Sequence, residues 1–128
     1  MADVKITIPL NPVTKKNSGR IVMAGKYPKL LPSKAFEKYQ DMAGWYIHCK
    51  GLSINKPCEV MCSFYMQTRR RVDLANLLNA VDDVLVHYGV LEDDNSGIIV
   101  SHDGSRVLYD KKNPRTEIVI REVSDEFT

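Results

Sequence analysis

The sequence predicts one small α+β domain in which two main helices pack against a mixed β-sheet. Its 128 residues are enough for a single domain with a buried core. Several short segments alternate between apolar and polar residues, as half-buried strands do, and two longer segments have helical spacing. No glycine-rich phosphate loop follows the first strand, which disfavours the nucleotide-binding folds. The predicted order of elements is β-α-β-α-β-β-β.

The first half begins with a predicted strand over residues 4–10, which is rich in β-branched residues. Residues 11–32 are rich in Pro, Gly, Asn and Lys and predict a long loop with a short hairpin around Ala24-Gly25. Ser33 is a suitable N-cap for a first helix over residues 34–50.

The second helix follows a strand predicted over residues 58–66. Asp73 is expected to cap this helix, and Gly89 is expected to end it. Its buried stripe is predicted to contain Leu74, Leu77, Leu78, Val81, Val84, Leu85 and Tyr88.

Three further strands are predicted over residues 98–102, 105–110 and 115–123. Asp103-Gly104 is expected to form the hairpin turn between the first two of these strands. Trp45 is expected to lie in the core rather than to act as a base-stacking platform.

Composition indicates a cytoplasmic protein that is not attached to a membrane. No apolar run approaches the roughly 20 residues that span a bilayer, and the N-terminus lacks a secretory pattern. The three cysteines have no CxxC or Cys/His spacing, which argues against a disulfide framework and structural zinc.

Charge is distributed unevenly along the chain. Residues 1–72 carry 13 Lys/Arg against 4 Asp/Glu, whereas residues 73–128 carry 5 against 12. The basic half is suited to neutralising phosphates and the acidic half to holding a metal. The same segregation is also compatible with ordinary solvated surface charge.

The acidic candidates are Asp73, at the start of the second helix, and Asp93 and Asp94, in the turn after it. Carboxylate oxygens are the ligands that Mg²⁺ prefers, and phosphodiester hydrolysis uses such a metal. A helix of about 16 residues is ~24 Å long, so the chain must fold back for these residues to share one site. Alternatively, Asp73 is only an N-cap and the acidic turn is only solvated.

Basic and polar residues supply candidate phosphate contacts in two segments. The candidate DNA-binding residues are Lys15, Lys16, Asn17 and Arg20 in the long loop and Arg69, Arg70 and Arg71 before the second helix. A mobile, soluble loop is the alternative interpretation of the first segment.

The run RRRVDLANLLNAVDDVLVHYGVLEDDNSG, residues 69–97, resembles the core signature of the RusA family of Holliday-junction resolvases. IPLNPVTKKNSGRI, LPSKAFEKY and SHDGSRVLYDKKNPRTEI also resemble segments of phage-type members, so most of the chain is covered. The resemblance implies a homodimeric α+β endodeoxyribonuclease of bacteria or prophages that acts in DNA recombination and repair. It implies Mg²⁺ as cofactor, with Mn²⁺ as a possible substitute, and four-way DNA junctions as substrate.

The resemblance also implies roles for individual residues. Asp73 matches the first catalytic aspartate, and Asp94, with Asp93 beside it, matches the acidic pair, so all three are expected to be catalytic and to bind metal. Asn76 matches an asparagine that orients a ligand or binds phosphate, and we count it among the DNA-binding residues.

One departure from the family motif concerns Ala75. Fuller motifs read Asp-Leu-Asp-Asn, whereas this chain has Ala75 in place of the middle carboxylate. Three explanations remain open. Another carboxylate fills in, with Asp103 the first choice as metal ligand and Asp93 or Asp83 the others; the alanine is an introduced substitution; or the chain is a natural DNA binder that has lost cleavage. A lysine that many members carry is also replaced, by Asn79.

Overall fold

The computed structural model describes residues 3–15, 20–31 and 33–123. They form a small α+β domain, as predicted. In chain order the elements are β1 (Val4–Ile8), β2 (Arg20–Ala24), β3 (Tyr27–Leu31), α1 (Lys34–Ala43), β4 (Cys58–Met66), α2 (Leu74–His87), β5 (Ile99–Ser101), β6 (Arg106–Tyr109) and β7 (Arg115–Glu122).

The main sheet is mixed. β7 pairs antiparallel with both β1 and β4, and β5 and β6 pair parallel with β4 along its other edge. Alternate residues of β4 point into the core, which explains the period-two pattern of its sequence. The residues of the sheet and helices that form the core include Ile6, Ile8, Phe36, Tyr39, Val60, Phe64, Leu77, Val84, Leu85, Ile118 and Ile120.

The long loop contains the predicted hairpin, which forms a separate two-stranded sheet. β2 and β3 pair antiparallel, with Ala24 opposite Tyr27. Gly25 has a φ of +66°, in the left-handed region that the turn requires. None of the helices in the described ranges is both long and apolar enough to cross a membrane.

Helix α2 connects two parallel strands, so it must run back along the sheet from the end of β4 to the start of β5. Its predicted ends are confirmed. Asp73 caps the first turn, and Gly89, with a φ of +68°, allows the Val90 N–H to donate to the Leu85 carbonyl at 2.9 Å. Asp73 therefore lies near the carboxyl end of β4, and the acidic turn lies on the path into β5.

The hairpin predicted at Asp103-Gly104 is wrong. β5 and β6 follow one another along the same edge of β4, because Ser101 pairs with Glu59 and Arg106 pairs with Ser63 in the same direction. The β5–β6 side is one residue longer than the β4 side, so the Asp-Gly pair accommodates a bulge rather than a reversal.

Between β5 and β6, where none of the described strands pairs with this edge of β4, two side chains form hydrogen bonds with the β4 backbone instead. Nδ1 of His102 lies 2.8 Å from the Val60 carbonyl oxygen, and the Cys62 N–H donates to the Ser105 hydroxyl at 3.0 Å. These bonds satisfy backbone groups that a continuous strand would otherwise pair. His102 therefore has a structural role in the sheet.

Helix α1 is shorter than predicted, since it ends at Ala43 rather than near residue 50. The hydroxyl of Tyr88 donates to the Gln40 carbonyl at 2.6 Å and lies against Gly44, where a Cβ atom would be only 2.5 Å from it. The Tyr88 side chain thus closes the helix end. The core placement of Trp45 is also wrong, because 79% of this residue is exposed.

Candidate functional site

The arginine run, Arg69–Arg71, lies in the connection between β4 and α2, directly before Asp73. All four of these residues are exposed. Oδ1 of Asp73 accepts the Ala75 N–H at 2.9 Å, as an N-cap does. The helix start therefore holds this carboxylate in place directly after the arginine run in the chain.

A groove beside the arginine run is lined by Asn11, Thr14, Arg70 and Arg71, and we call it the loop groove. Oδ1 of Asn11 accepts the Gln67 N–H at 3.0 Å, which fixes the loop that follows β1 against the end of β4. Among the described residues, neither arginine has a carboxylate within ion-pair distance. The loop groove thus joins two segments that the sequence assigned separately to phosphate binding, and its cationic groups are available to an anion.

The structure gives different information on each of the predicted DNA-binding residues of the long loop. Lys15 forms an ion pair with Asp83 of α2, and the two side chains are 39% and 33% exposed. Lys16 and Asn17 lie outside the described residues, and for Arg20 the structure describes only the backbone, at the start of β2. DNA binding by these residues stays a prediction, and for Lys15 it competes with the ion pair.

The acidic loop, residues 92–97, is exposed throughout. Asp93 accepts the Asp94 N–H at 2.8 Å and the Asn95 side-chain amide at 3.2 Å, and these bonds lower its pKa. The pKa of Asp94 is raised, first by desolvation and then by the neighbouring Asp93, with a smaller effect from Asp82. The two neighbouring carboxylates therefore differ in proton affinity.

Asp82 is a buried carboxylate of α2 that the sequence reasoning did not select. Its Oδ2 lies 3.0 Å from Nε2 of His102, and its Oδ1 has no partner within the described part of the chain. Because a carbonyl can only accept, Nδ1 of His102 carries the proton that it donates to Val60. The contact between Nε2 and Oδ2 then holds one further shared proton, and this bond with Asp82 raises the pKa of His102.

The predicted acidic ligands are not gathered into one group. Across the described ranges, no three His, Cys, Asp or Glu side chains are grouped so that they could hold a metal ion. Asp82 lies nine residues after Asp73, which is about 13 Å along the helix axis. The charge of Asp82 contributes to raising the pKa of Asp94, and Asp73 caps the N-terminal end of the same helix.

Asp103 and Asn76 are the two candidates that remain. Asp103 is exposed, in the bulge between β5 and β6, where its N–H donates to the Ser101 hydroxyl at 2.9 Å. Asn76 is half-buried in the first turn of α2, one position after Ala75. Their assignments as metal ligand and DNA contact stay predictions.

The family profile described as "Endodeoxyribonuclease RusA" matches residues 9–121. The chain belongs to the RusA family. The resemblance read from the sequence is therefore confirmed, and the match includes the loop groove, the arginine run, Asp73 and the acidic loop. No curated protein matches the chain at a significant level.

Because the RusA family consists of endodeoxyribonucleases, hydrolysis of DNA phosphodiester bonds is the chemistry against which these residues are judged.

The signal that could have found Asp82 in the sequence is its position. It lies four residues after Leu78 and three before Leu85, on the apolar stripe of α2, where a charged residue requires a partner. His102 supplies that partner, which sequence spacing alone did not indicate.

Proposed function

We propose that this RusA-family chain is a Mg²⁺-dependent endodeoxyribonuclease that cuts four-way DNA junctions by paired nicks. It acts as a homodimer, with one acidic site in each subunit, and leaves 5′-phosphate and 3′-hydroxyl ends. The observation that carries the proposal is that Asp73, the N-cap of α2, comes directly after a stretch in which the exposed Arg70 and Arg71 line the loop groove. The carboxylate can bind a metal cation, and arginines without a carboxylate partner can bind the phosphates of an anionic substrate. The two together suit a metal-dependent nuclease.

The basic residues bind and orient the DNA. Arginine forms paired hydrogen bonds with phosphate oxygens, and contacts of this kind set the position of a duplex without reading its sequence. Asn11 and Thr14 add neutral donors to the loop groove. Junction selectivity then depends on the shape and spacing of the DNA arms.

The chemistry of the donor set fits magnesium. Asp73, Asp93 and Asp94 offer exposed carboxylate oxygens, and Mg²⁺ commonly binds through one or two carboxylates together with substrate phosphates and water. A ligand group of three residues is therefore not required before DNA binds. When bound, the metal lowers the pKa of a coordinated water and neutralises charge on the phosphate.

The protein's own contribution is to hold these oxygens in position. Oδ1 of Asp73 is engaged by the helix N-terminus, which leaves Oδ2 for the metal. Both oxygens of Asp93 accept hydrogen bonds within the acidic loop, so Asp94 is the better ligand of the pair. Asp103 is retained as the first substitute for the carboxylate absent at Ala75, since Asp83 is engaged by Lys15.

A second candidate function is junction binding without cleavage. It is favoured by Ala75, which has no side-chain oxygen, and by the lack of a three-residue ligand group within the described parts of the chain. This function needs the arginines and the loop groove but no metal. It predicts junction binding that weakens steeply with salt.

The test is incubation of the protein with a synthetic four-way junction and magnesium, followed by denaturing electrophoresis. Linear duplex of the same sequence is the control substrate, and EDTA is the control for metal. Paired nicks near the branch point, absent from the duplex, are the expected result. Junction binding with no nicks in either magnesium or manganese would replace the proposed nuclease with the binding protein.

A further inference from the structure

A second groove lies on the other side of the arginine run, and we call it the edge groove. Thr68, Arg69 and Arg70 line it from the connection before α2, and Val107 and Tyr109 line it from β6. Arg70 lines both this groove and the loop groove. The arginine run is therefore a ridge between two grooves.

The edge groove exposes part of the core face of the sheet. Val107 and Tyr109 pair with Phe64 and Met66 of β4 and share their side of the sheet, because partners in a parallel ladder point the same way. Yet Val107 is 39% exposed and Tyr109 is 40% exposed, whereas Phe64 is 1% exposed. Among the described strands, β6 pairs with β4 alone, and the exposure of Val107 and Tyr109 shows that this part of the face is only partly covered.

At this surface the guanidinium group of Arg69 stacks on the ring of Tyr109. Its guanidinium carbon lies 4.2 Å from the centroid of the Tyr109 ring. Both residues are exposed. A planar cation on an aromatic ring presents a flat, positively charged surface of the kind on which nucleobases stack.

A second guanidinium–tyrosine stack, of Arg115 on Tyr65, shows how the Arg69–Tyr109 pair differs. The guanidinium carbon of Arg115 lies 3.7 Å from the Tyr65 ring centroid, but Arg115 also donates to Asp110 at 2.9 Å and to Glu117 at 2.7 Å. Its charge is neutralised, and its geometry is fixed by the protein. Within the described residues Arg69 has no such carboxylate, so its charge remains available for an anionic partner.

We propose that Tyr109 and Arg69 form a platform that takes one unstacked nucleobase of the DNA, next to the phosphate contacts of the loop groove. The proposal rests on the proposed function, since it assumes branched DNA as the ligand. The flat surface of Arg69 over the Tyr109 ring favours a base over a phosphate, and the flanking arginines favour a partner whose backbone is anionic. At the branch point of a four-way junction the duplex is discontinuous, so a base leaves its stack there at lower cost than inside an intact duplex.

The platform explains a division of roles between the two grooves. The lining of the loop groove includes Asn11, Thr14, Arg70 and Arg71, and these side chains suit the sugar-phosphate backbone. The edge groove adds a contact that intact duplex cannot satisfy without unstacking a base. The platform thus favours branched over linear DNA without reading base sequence, because every base has a stacking face.

The test pairs variants of the protein with variants of the junction. In each of a set of synthetic junctions, one branch-point nucleotide is replaced by an abasic analogue that keeps its phosphate. With the unmodified protein, we expect one position at which loss of the base weakens binding by about tenfold, within the range measured for base–aromatic stacking. Tyr109→Leu should bind the intact junction about tenfold more weakly and should be indifferent to that abasic position.

Two further variants separate stacking from folding. Tyr109→Phe keeps the ring and should behave as the unmodified protein does, and Tyr65→Leu removes the other stack and should leave the abasic penalty unchanged. Equal penalties for Tyr109→Leu and the unmodified protein would overturn the proposal.

A second measurement needs no variant. Junctions carrying 5-iodouracil at the branch point, irradiated with the unmodified protein, should give a crosslinked peptide that contains Tyr109. Crosslinks confined to other peptides would overturn the platform.

These results are distinguishable from those that test the nuclease. Paired nicks without a base-specific penalty would remove only the platform. A base-specific penalty without nicks would leave the platform and remove the nuclease.

Discussion

The backbone N–H of Ala75 donates a 2.9 Å hydrogen bond to Oδ1 of Asp73. The residue that lacks the motif's carboxylate thus helps to hold the carboxylate that remains. Ala75 is exposed in the first turn of α2, where the helix dipole favours negative charge. A side chain added there meets solvent and the same first-turn environment as Asp73.

Ala75→Asp tests whether the missing carboxylate limits metal binding. We expect this variant to reach half-maximal junction cleavage at a lower magnesium concentration than the unmodified chain, because it offers the metal another hard oxygen ligand. Ala75→Asn is the matched control, since it has the same shape without the charge. Identical magnesium titrations for the two variants would show that position 75 does not contribute to the metal site.

Asp73 is predicted both to cap α2 and to bind the metal. Replacement with serine should keep the cap and remove the metal ligand. Asp73→Ala should lower the free energy of unfolding by about 1 kcal/mol through loss of the N-cap, whereas Asp73→Ser should change it by only a few tenths. Both variants should lose junction cleavage, because neither retains a metal ligand of this type. Chemical unfolding and the cleavage assay measure the two effects, and full activity in Asp73→Ser would contradict the catalytic role.

Arg70 and Arg71 are predicted to neutralise DNA phosphates. Replacing either with glutamine should weaken junction binding and reduce the slope of log affinity against log salt by about one. Arg121→Gln is the control, because Arg121 is paired with Asp3 on the opposite part of the sheet. An unchanged salt slope in the Arg70 and Arg71 variants would place the DNA elsewhere.

His102 is predicted to stabilise the fold at the break between β5 and β6. His102→Ala leaves the Val60 carbonyl and the buried Asp82 without their partner and should reduce the free energy of unfolding by about 2–3 kcal/mol. Ser105→Ala removes only the neighbouring bond to the Cys62 N–H and should cost less. Equal effects of the two substitutions on unfolding would contradict this account.

The same pair predicts a direction for the pH dependence of stability. The hydrogen bond with Asp82 raises the pKa of His102 above its ordinary value. Its contribution to stability is therefore fully present below the unfolded-state pKa of about 6.5 and is lost as pH rises through the folded-state pKa. The difference in unfolding free energy between the unmodified chain and Asp82→Asn should shrink over that interval, and a difference that grows would contradict the assignment.

Local signals in the sequence predicted the ends of α2 correctly. An aspartate before an apolar helix and a glycine after it have direct backbone consequences, and Asp73 and Gly89 show them. The Asp103-Gly104 hairpin failed because a turn signal does not state which strand the next segment will pair with. The core placement of Trp45 failed because its apolar character alone does not say which face of the chain is buried, and residues after Ala43 no longer follow α1.

The candidate site was also predictable only in part, because the sequence shows which residues are neighbours along the chain but not which distant segments meet. Arg70, Arg71 and Asp73 are neighbours in sequence and remain neighbours in space. The pairing of Asp82 with His102 spans 20 residues and depends on how α2 lies on the sheet. The stack of Arg69 on Tyr109 likewise depends on β6 reaching the end of β4.

The most direct test of the central claim compares Asp94→Asn with Glu92→Gln in the junction cleavage assay. Both substitutions remove one negative charge from the exposed acidic loop, but of these two residues only Asp94 is proposed to hold the metal. The account predicts paired nicks with magnesium for the unmodified chain and Glu92→Gln, and none for Asp94→Asn, while all three bind the junction. Undiminished cleavage by Asp94→Asn would contradict it.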